Sequence, residues 1–302
     1  MQHPPFLQKG ATIGITCPSG YVSNERVIPA IETLQSWGFR VKVGNTVGNE
    51  FHYFAGTDEE RASDLQAMLN DPLLSAIIMG RGGYGLSRII DQLDFTLFKK
   101  FPKWICGFSD ITVLHQHTHQ NIGIATLHSP MCGAFKDYDE NCDYLCQFKS
   151  ILQGEPQTYL TPPNEHNRFG SAESTVIGGN LAIISPLVGS SSDIDSNGKI
   201  LFLEDIGEHL YQIDRMLMQL KRAGKLKGLK GLILGSFTEI EDTERPFGQS
   251  LETIISSKVE EFDFPVCFGF PIGHQEINFS LALGMKHRLD VDASGGRLEL
   301  IL

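Results

Sequence analysis

Trp104-Ile105-Cys106-Gly107-Phe108-Ser109-Asp110-Ile111-Thr112 is an apolar run that stops at a serine and restarts as a helix. A short apolar run without polar alternation suits a strand buried on both faces, and such strands belong to parallel sheets covered by helices. The helix opening at Ser109-Asp110 turns its free N–H groups and positive dipole end back toward the strand end. Two readings fit. In one, the stretch is a nucleophile elbow that presents Ser109 at the carboxyl edge of a sheet for acyl transfer. In the other, it is a plain strand followed by a Ser/Asp helix cap. Gly107 removes a side chain where the tight turn would crowd, whichever reading holds.

The residues before this stretch repeat its pattern. Lys9 to Thr16 reads as a buried strand closed by the turn Cys17-Pro18-Ser19-Gly20, and a helix follows from about Asn24 to Trp37, with Val27, Ile31 and Leu34 on one face and Gly38 as terminator. Phe39 to Val43 alternates as a second strand. Thr57-Asp58-Glu59-Glu60 is a capping-box pattern opening a helix to Asn70, and Ser75 to Met79 is a third strand. Gly80-Arg81-Gly82-Gly83-Tyr84-Gly85 then leads into a helix near Leu86 to Gln92. Strands alternating with helices specify an α/β fold with a mostly parallel sheet covered on both faces and function at the carboxyl ends of its strands.

Gly80, Gly82 and Gly85 formally match a dinucleotide-binding spacing. That fingerprint belongs to the first strand-helix turn, with an acidic residue at the end of the next strand, and here the next strand ends at Ser109. A nucleotide loop, a structural glycine loop and an oxyanion or substrate loop all remain open. For the last, an N–H near Gly83 would join that of Asp110 in stabilising a tetrahedral oxyanion.

The 302 residues suffice for two domains, and 41% hydrophobic with 20% charged residues is the balance of a globular chain. A net charge of −11, with none of the basic residues forming a long run, argues against nucleic acid and against an anionic membrane surface. The six cysteines are scattered, mostly in apolar runs, without a Cys-x-x-Cys pair; reduced thiols and a cytoplasmic location are expected. Neither a signal peptide nor a membrane-spanning run is visible. His115, His117 and His119 alternate, but on a helix residues two apart do not share a face, which disfavours a metal site.

A polar, Pro-rich stretch, 154–170, is expected to link a first domain (1–153) to a second (171–302). In the second half, Lys199 to Leu203 is a strand ending at Glu204-Asp205, whose carboxylates point to opposite faces if the strand continues. A long amphipathic helix runs from about Glu208 to Arg222, and Gly231 to Gly235 is another buried strand. Val266 to His274 resembles the elbow in style, and the chain ends in alternating strands about Ser294-Gly295-Gly296. Ser109, Glu204 and His274 thus each end an apolar strand. Serine needs a hydrogen-bonded base, imidazole serves near neutral pH, and a carboxylate fixes the imidazole's tautomer.

Gly80 to Gly85, Gly107-Phe108-Ser109-Asp110, Gly178-Gly179-Asn180-Leu181, Leu203-Glu204-Asp205 with Tyr211, Ile213, Asp214 and Arg215, and Gly273-His274 occur in the order seen in the LD-carboxypeptidase family of serine peptidases, which the chain resembles over nearly its whole length. The family also includes the microcin C self-immunity hydrolases. The resemblance implies a Rossmann-like N-terminal domain, a smaller β-rich mixed C-terminal domain and a homodimer. It implies cleavage of the bond from an L-centre diamino acid to terminal D-alanine in cytoplasmic muropeptide tetrapeptides during cell-wall recycling. Carried over, Ser109 is the nucleophile, His274 the base, Glu204 its orienter with Glu208 as the other candidate, and Asp110 and Gly83 the oxyanion donors. Arg81 suits either the substrate's terminal carboxylate, for which a guanidinium fork is apt, or an ordinary surface position. No metal or organic cofactor is required, and the partner is a small peptide. The active site is expected where the two domains meet. Two alternatives stand beside this reading: a microcin-type amidase acting on aminoacyl-nucleotide analogues, and a non-catalytic nucleotide- or small-ligand-binding protein.

Overall fold

The apolar runs of the sequence pair into two separate sheets. The computed structural model describes residues 1–302, the side chain of Asp137 excepted. In chain order the strands are β1 (Thr12–Thr16), β2 (Arg40–Val43), β3 (Leu74–Met79), β4 (Trp104–Gly107), β5 (Thr126–His128), β6 (Thr158–Thr161), β7 (Gly170–Asn180), β8 (Ile200–Ile206), β9 (Gly231–Thr238), β10 (Val266–Cys267), β11 (Leu281–Leu283), β12 (Lys286–Asp292) and β13 (Gly295–Leu300). The α-helices are α1 (Asn24–Ser36), α2 (Asp58–Asn70), α3 (Leu86–Ile89), α4 (Thr96–Lys100), α5 (Thr112–His117), α6 (Asp143–Leu152), α7 (Leu181–Leu187), α8 (Leu210–Arg222) and α9 (Leu251–Val259). Contacts divide the chain into a unit of residues 1–155 with 279–282 and a unit of residues 156–278 with 283–302.

In the first unit the sheet order is β11-β5-β4-β3-β1-β2, and the pairs β1·β2, β1·β3, β3·β4 and β4·β5 are parallel. Every residue of β4 is buried. Burying a side chain such as Ile105 stabilises the fold by roughly 1.5–3 kcal/mol, which is why an uninterrupted apolar run becomes a central strand. Because the strands share one direction, the turns after β1, β3 and β4 lie at the same edge of the sheet. The expected capping box is present. Thr57 Oγ1 accepts from Glu60 N–H at 3.2 Å, and Glu60 Oε2 accepts from Thr57 N–H at 2.8 Å.

The second unit holds a mixed sheet ordered β10-β9-β8-β7-β12-β13-β6. β7 to β10 run parallel, and β12, β13 and β6 continue antiparallel. Ile213, Leu217 and Leu220 of α8 are buried in its core, on the face that their spacing specifies. β6 lies within the Pro-rich stretch 154–170 and pairs with β13, so that stretch carries regular structure. Low apolar content hid the strand, because Tyr159 and Thr161 are buried while Thr158 and Leu160 are exposed. Among the described residues no helix is long and apolar enough to cross a membrane.

Candidate active site

Ser109 follows β4 with φ 64°, in the left-handed region. For a residue with a Cβ this costs about 1–2 kcal/mol, so the surroundings must hold it. The Gly107 carbonyl accepts from Ser129 N–H at 3.1 Å and from His115 Nε2–H at 2.9 Å. Burial pulls His115 down to about 3, so its ring is neutral and carries that single proton on Nε2. Three residues of 3-10 turn, Ser109–Ile111, precede α5, and neither this turn nor α5 has a side-chain cap. Neither Ser109 nor Asp110 therefore caps the helix with its side chain, and the chain turns from β4 into the helix through the strained Ser109.

Gly82 packs directly on this serine. A Cβ at Gly82 would stand 3.0 Å from Ser109 Cβ and 3.2 Å from its Oγ. The glycine loop after β3 is fastened on both sides of this contact. Gly82 O accepts from Gly20 N–H at 3.0 Å, and Leu86 N–H donates to Asp110 Oδ2 at 2.9 Å. The same Oδ2 accepts the Ser19 hydroxyl at 2.6 Å. The Asp110 side chain, almost fully buried, thus joins the turns after β1, β3 and β4, and burial pushes its carboxyl above the usual range. Arg61 of α2, fully buried, reinforces the join by donating to Pro18 O at 2.5 Å and to Gly85 O at 3.2 Å while pairing with Asp58. The N–H groups of Gly83 and Asp110 have no hydrogen-bond partner among the described residues. Arg81 is exposed and donates to Tyr21 O at 2.9 Å.

In the second unit β8 continues through Glu204 and Asp205, which do face opposite ways. Leu203 is opposite Leu234 and Asp205 opposite Phe237, so Gly235 and Ser236 share the position facing Glu204. Such a bulge bends the strand and re-aims a side chain. Glu204 is completely buried, and its Oε2 accepts His274 Nδ1–H at 2.6 Å and His274 N–H at 3.3 Å. This close approach depends on Gly273, at φ 127°, where a Cβ would lie 2.7 Å from Glu204 Oε2. The His274 segment is held further by Thr238 Oγ1, which donates to His274 O at 2.6 Å, and by Asn278 Oδ1, which accepts Gly273 N–H at 2.9 Å. Of the two candidate carboxylates, Glu204 is the one on the imidazole; Glu208 is held by its backbone, whose O accepts from Glu241 N–H at 3.1 Å. Asp205 turns to α7, accepting from Asn180 Nδ2 at 3.0 Å and Ala182 N–H at 2.9 Å.

The imidazole is therefore oriented by a carboxylate, and the serine is displayed on a strained turn. Among the described residues no group of three His, Cys, Asp or Glu side chains is placed to hold a metal ion. The residues that sequence reasoning missed are the Asp110 carboxylate, Ser19 and Arg61, whose roles arise from loop contacts with no local signature.

Residues 13–129 match the LD-carboxypeptidase N-terminal domain, and residues 173–289 match the LD-carboxypeptidase C-terminal domain. A probable murein peptide carboxypeptidase of Bacillus subtilis is 36% identical, over 94% of this chain and 90% of that protein. The microcin C7 self-immunity protein of Escherichia coli is 27% identical, over 95% of this chain and 92% of that protein. Among solved structures, the muramoyltetrapeptide carboxypeptidase from Oxalobacter formigenes superposes with a TM-score of 0.85 at 30% identity, covering 96% of this chain and 98% of that one.

Proposed function

The chain belongs to the LD-carboxypeptidase family, and from that premise we propose that it is a serine carboxypeptidase that removes the terminal D-alanine from cell-wall tetrapeptides. Ser109 Oγ attacks the carbonyl of the L-centre diamino acid. His274 Nε2 takes the hydroxyl proton, and Glu204 holds the Nδ1–H tautomer and stabilises the imidazolium. The N–H groups of Asp110 and Gly83 receive the oxyanion, worth several kcal/mol of barrier in comparable sites, roughly 2.7–4 per donor. His274 returns the proton to the leaving amine of D-alanine, and water then hydrolyses the acyl-enzyme by the same relay.

The observation that carries this reading is the left-handed backbone of Ser109, a strain with no structural use as a helix cap. A microcin-type reading would be served by an aromatic side chain in 189–198 to stack a nucleobase, and that segment contains none. The test is incubation with a muropeptide tetrapeptide. Tripeptide and free D-alanine are expected from the wild type and not from Ser109→Ala. Failure to release D-alanine, with cleavage of an aminoacyl sulfamoyl adenosine instead, would move the assignment to the microcin-type reaction.

A further inference from the structure

Phe51-His52-Tyr53-Phe54 forms a tight hairpin in which Phe51 and Phe54 exchange N–H···O=C bonds of 3.0 Å in both directions. His52 at its tip has φ 56°, a second strained non-glycine position. The hairpin is fastened to the turn after β1: Tyr21 N–H donates to Tyr53 O at 3.1 Å and Ala55 N–H to Ser19 O at 3.1 Å. Beneath the tip, the Phe54 ring lies against the guanidinium groups of Arg61 at 4.8 Å and Arg88 at 5.5 Å. This anchoring fixes Tyr53 in place. Its side chain is 52% exposed, and a Cβ built on Gly83 would lie 2.6 Å from its hydroxyl oxygen. That hydroxyl has no hydrogen-bond partner among the described residues. Arg81, two residues before Gly83, reaches Tyr21 O, so the Arg81 guanidinium and the Tyr53 backbone are held by the same turn residue.

We propose that Tyr53 is a substrate-binding residue which, together with Arg81, receives the free carboxylate of the substrate's C-terminal D-amino acid. A carboxylate accepts several hydrogen bonds. A neutral phenol offers one, and a guanidinium offers two in a fork. A C-terminal amide or a continuing chain brings an N–H where these donors expect an acceptor, so the pair selects for the last residue of a peptide. The inference rests on the carboxypeptidase reading of Ser109.

The test measures kcat/KM for a tetrapeptide ending in D-alanine and for the same peptide ending in D-alaninamide, in the wild type and in Tyr53→Phe. The substitution removes the one hydroxyl oxygen and leaves the hairpin's backbone bonds in place. Wild type is expected to favour the acid. In Tyr53→Phe, kcat/KM for the acid should fall about tenfold, mainly through KM, and the acid-over-amide ratio should shrink by the same factor. An unchanged ratio, with D-alanine still released, overturns the role of Tyr53 and leaves the carboxypeptidase reading standing. A wild type that releases D-alanine or D-alaninamide from neither peptide overturns both.

Discussion

His274 donates both its Nδ1–H and its backbone N–H to one oxygen of Glu204, at 2.6 and 3.3 Å. Ring tautomer and main-chain position are thereby set by the same carboxylate, itself completely buried. An imidazole so held keeps Nε2 as its basic atom, which is the state a general base needs.

Glu204→Gln keeps the shape but replaces one acceptor oxygen with an NH2 that cannot accept Nδ1–H. The kcat for D-alanine release is expected to drop by about 10⁴, as loss of the orienting carboxylate does in other triads, with a folded circular-dichroism spectrum. Glu208→Gln is the control. If it were the more damaging of the two, the assignment of Glu204 would be wrong.

Ser109→Ala and Ser109→Gly both remove the proposed nucleophile, and each should lose activity by about 10⁴–10⁶. They should differ in stability. At φ 64° alanine retains the left-handed strain and glycine does not, so the glycine variant should be the more stable of the two by about 1 kcal/mol. Denaturant unfolding of the pair measures this. Equal midpoints would mean that Ser109 is not strained.

Gly82→Ala inserts a methyl group 3.0 Å from Ser109 Cβ and 3.2 Å from its Oγ. Gly82 is not among the positive-φ glycines, so alanine fits the backbone and only the contact changes. Displacement of the serine hydroxyl should cost roughly 10²-fold in kcat, the usual penalty of a misplaced reacting group. Thermal unfolding should move far less than activity. A variant as active as the wild type would show that the loop yields without moving Ser109.

Asp205 supplies a pH dependence of stability. Burial, with Glu204 close by, raises its carboxyl from the ordinary 3.8 to about 7. A raised carboxylate pKa means that the folded protein binds the proton more tightly than the unfolded chain. Its contribution is therefore full below the unfolded value and is lost as pH rises through the folded one. The stability of the wild type relative to Asp205→Asn should fall between about pH 4 and pH 7. Unfolding free energies of both proteins across that range check the slope. A difference independent of pH would show that Asp205 titrates normally.

The α/β alternation, the capping box at Thr57 and Glu60, and the core face of α8 were legible because each is encoded within a turn or two of chain. The strand ends at Ser109, Glu204 and His274 were legible for the same reason: an apolar run stopping at a polar residue is a local pattern. The short strand β6 was not. Its four residues follow a Pro-rich linker pattern, and they become a strand only by pairing with β13, more than 130 residues away.

By itself, the sequence determined that a parallel sheet would carry Ser109 at a strand end, and it supplied a histidine and two possible carboxylates in order. Only tertiary structure put the Glu204 carboxylate, and not that of Glu208, on the His274 imidazole. That choice lies in a bulge on β9, which places Gly235 and Ser236 opposite Glu204, and in the missing side chain at Gly273. Tertiary structure likewise took Asp110 out of a helix-cap role, by committing its carboxylate to Ser19 and Leu86 instead of to its own helix. Strand register and loop-to-loop contact are set by partners far along the chain, so no local pattern of residues could have carried them.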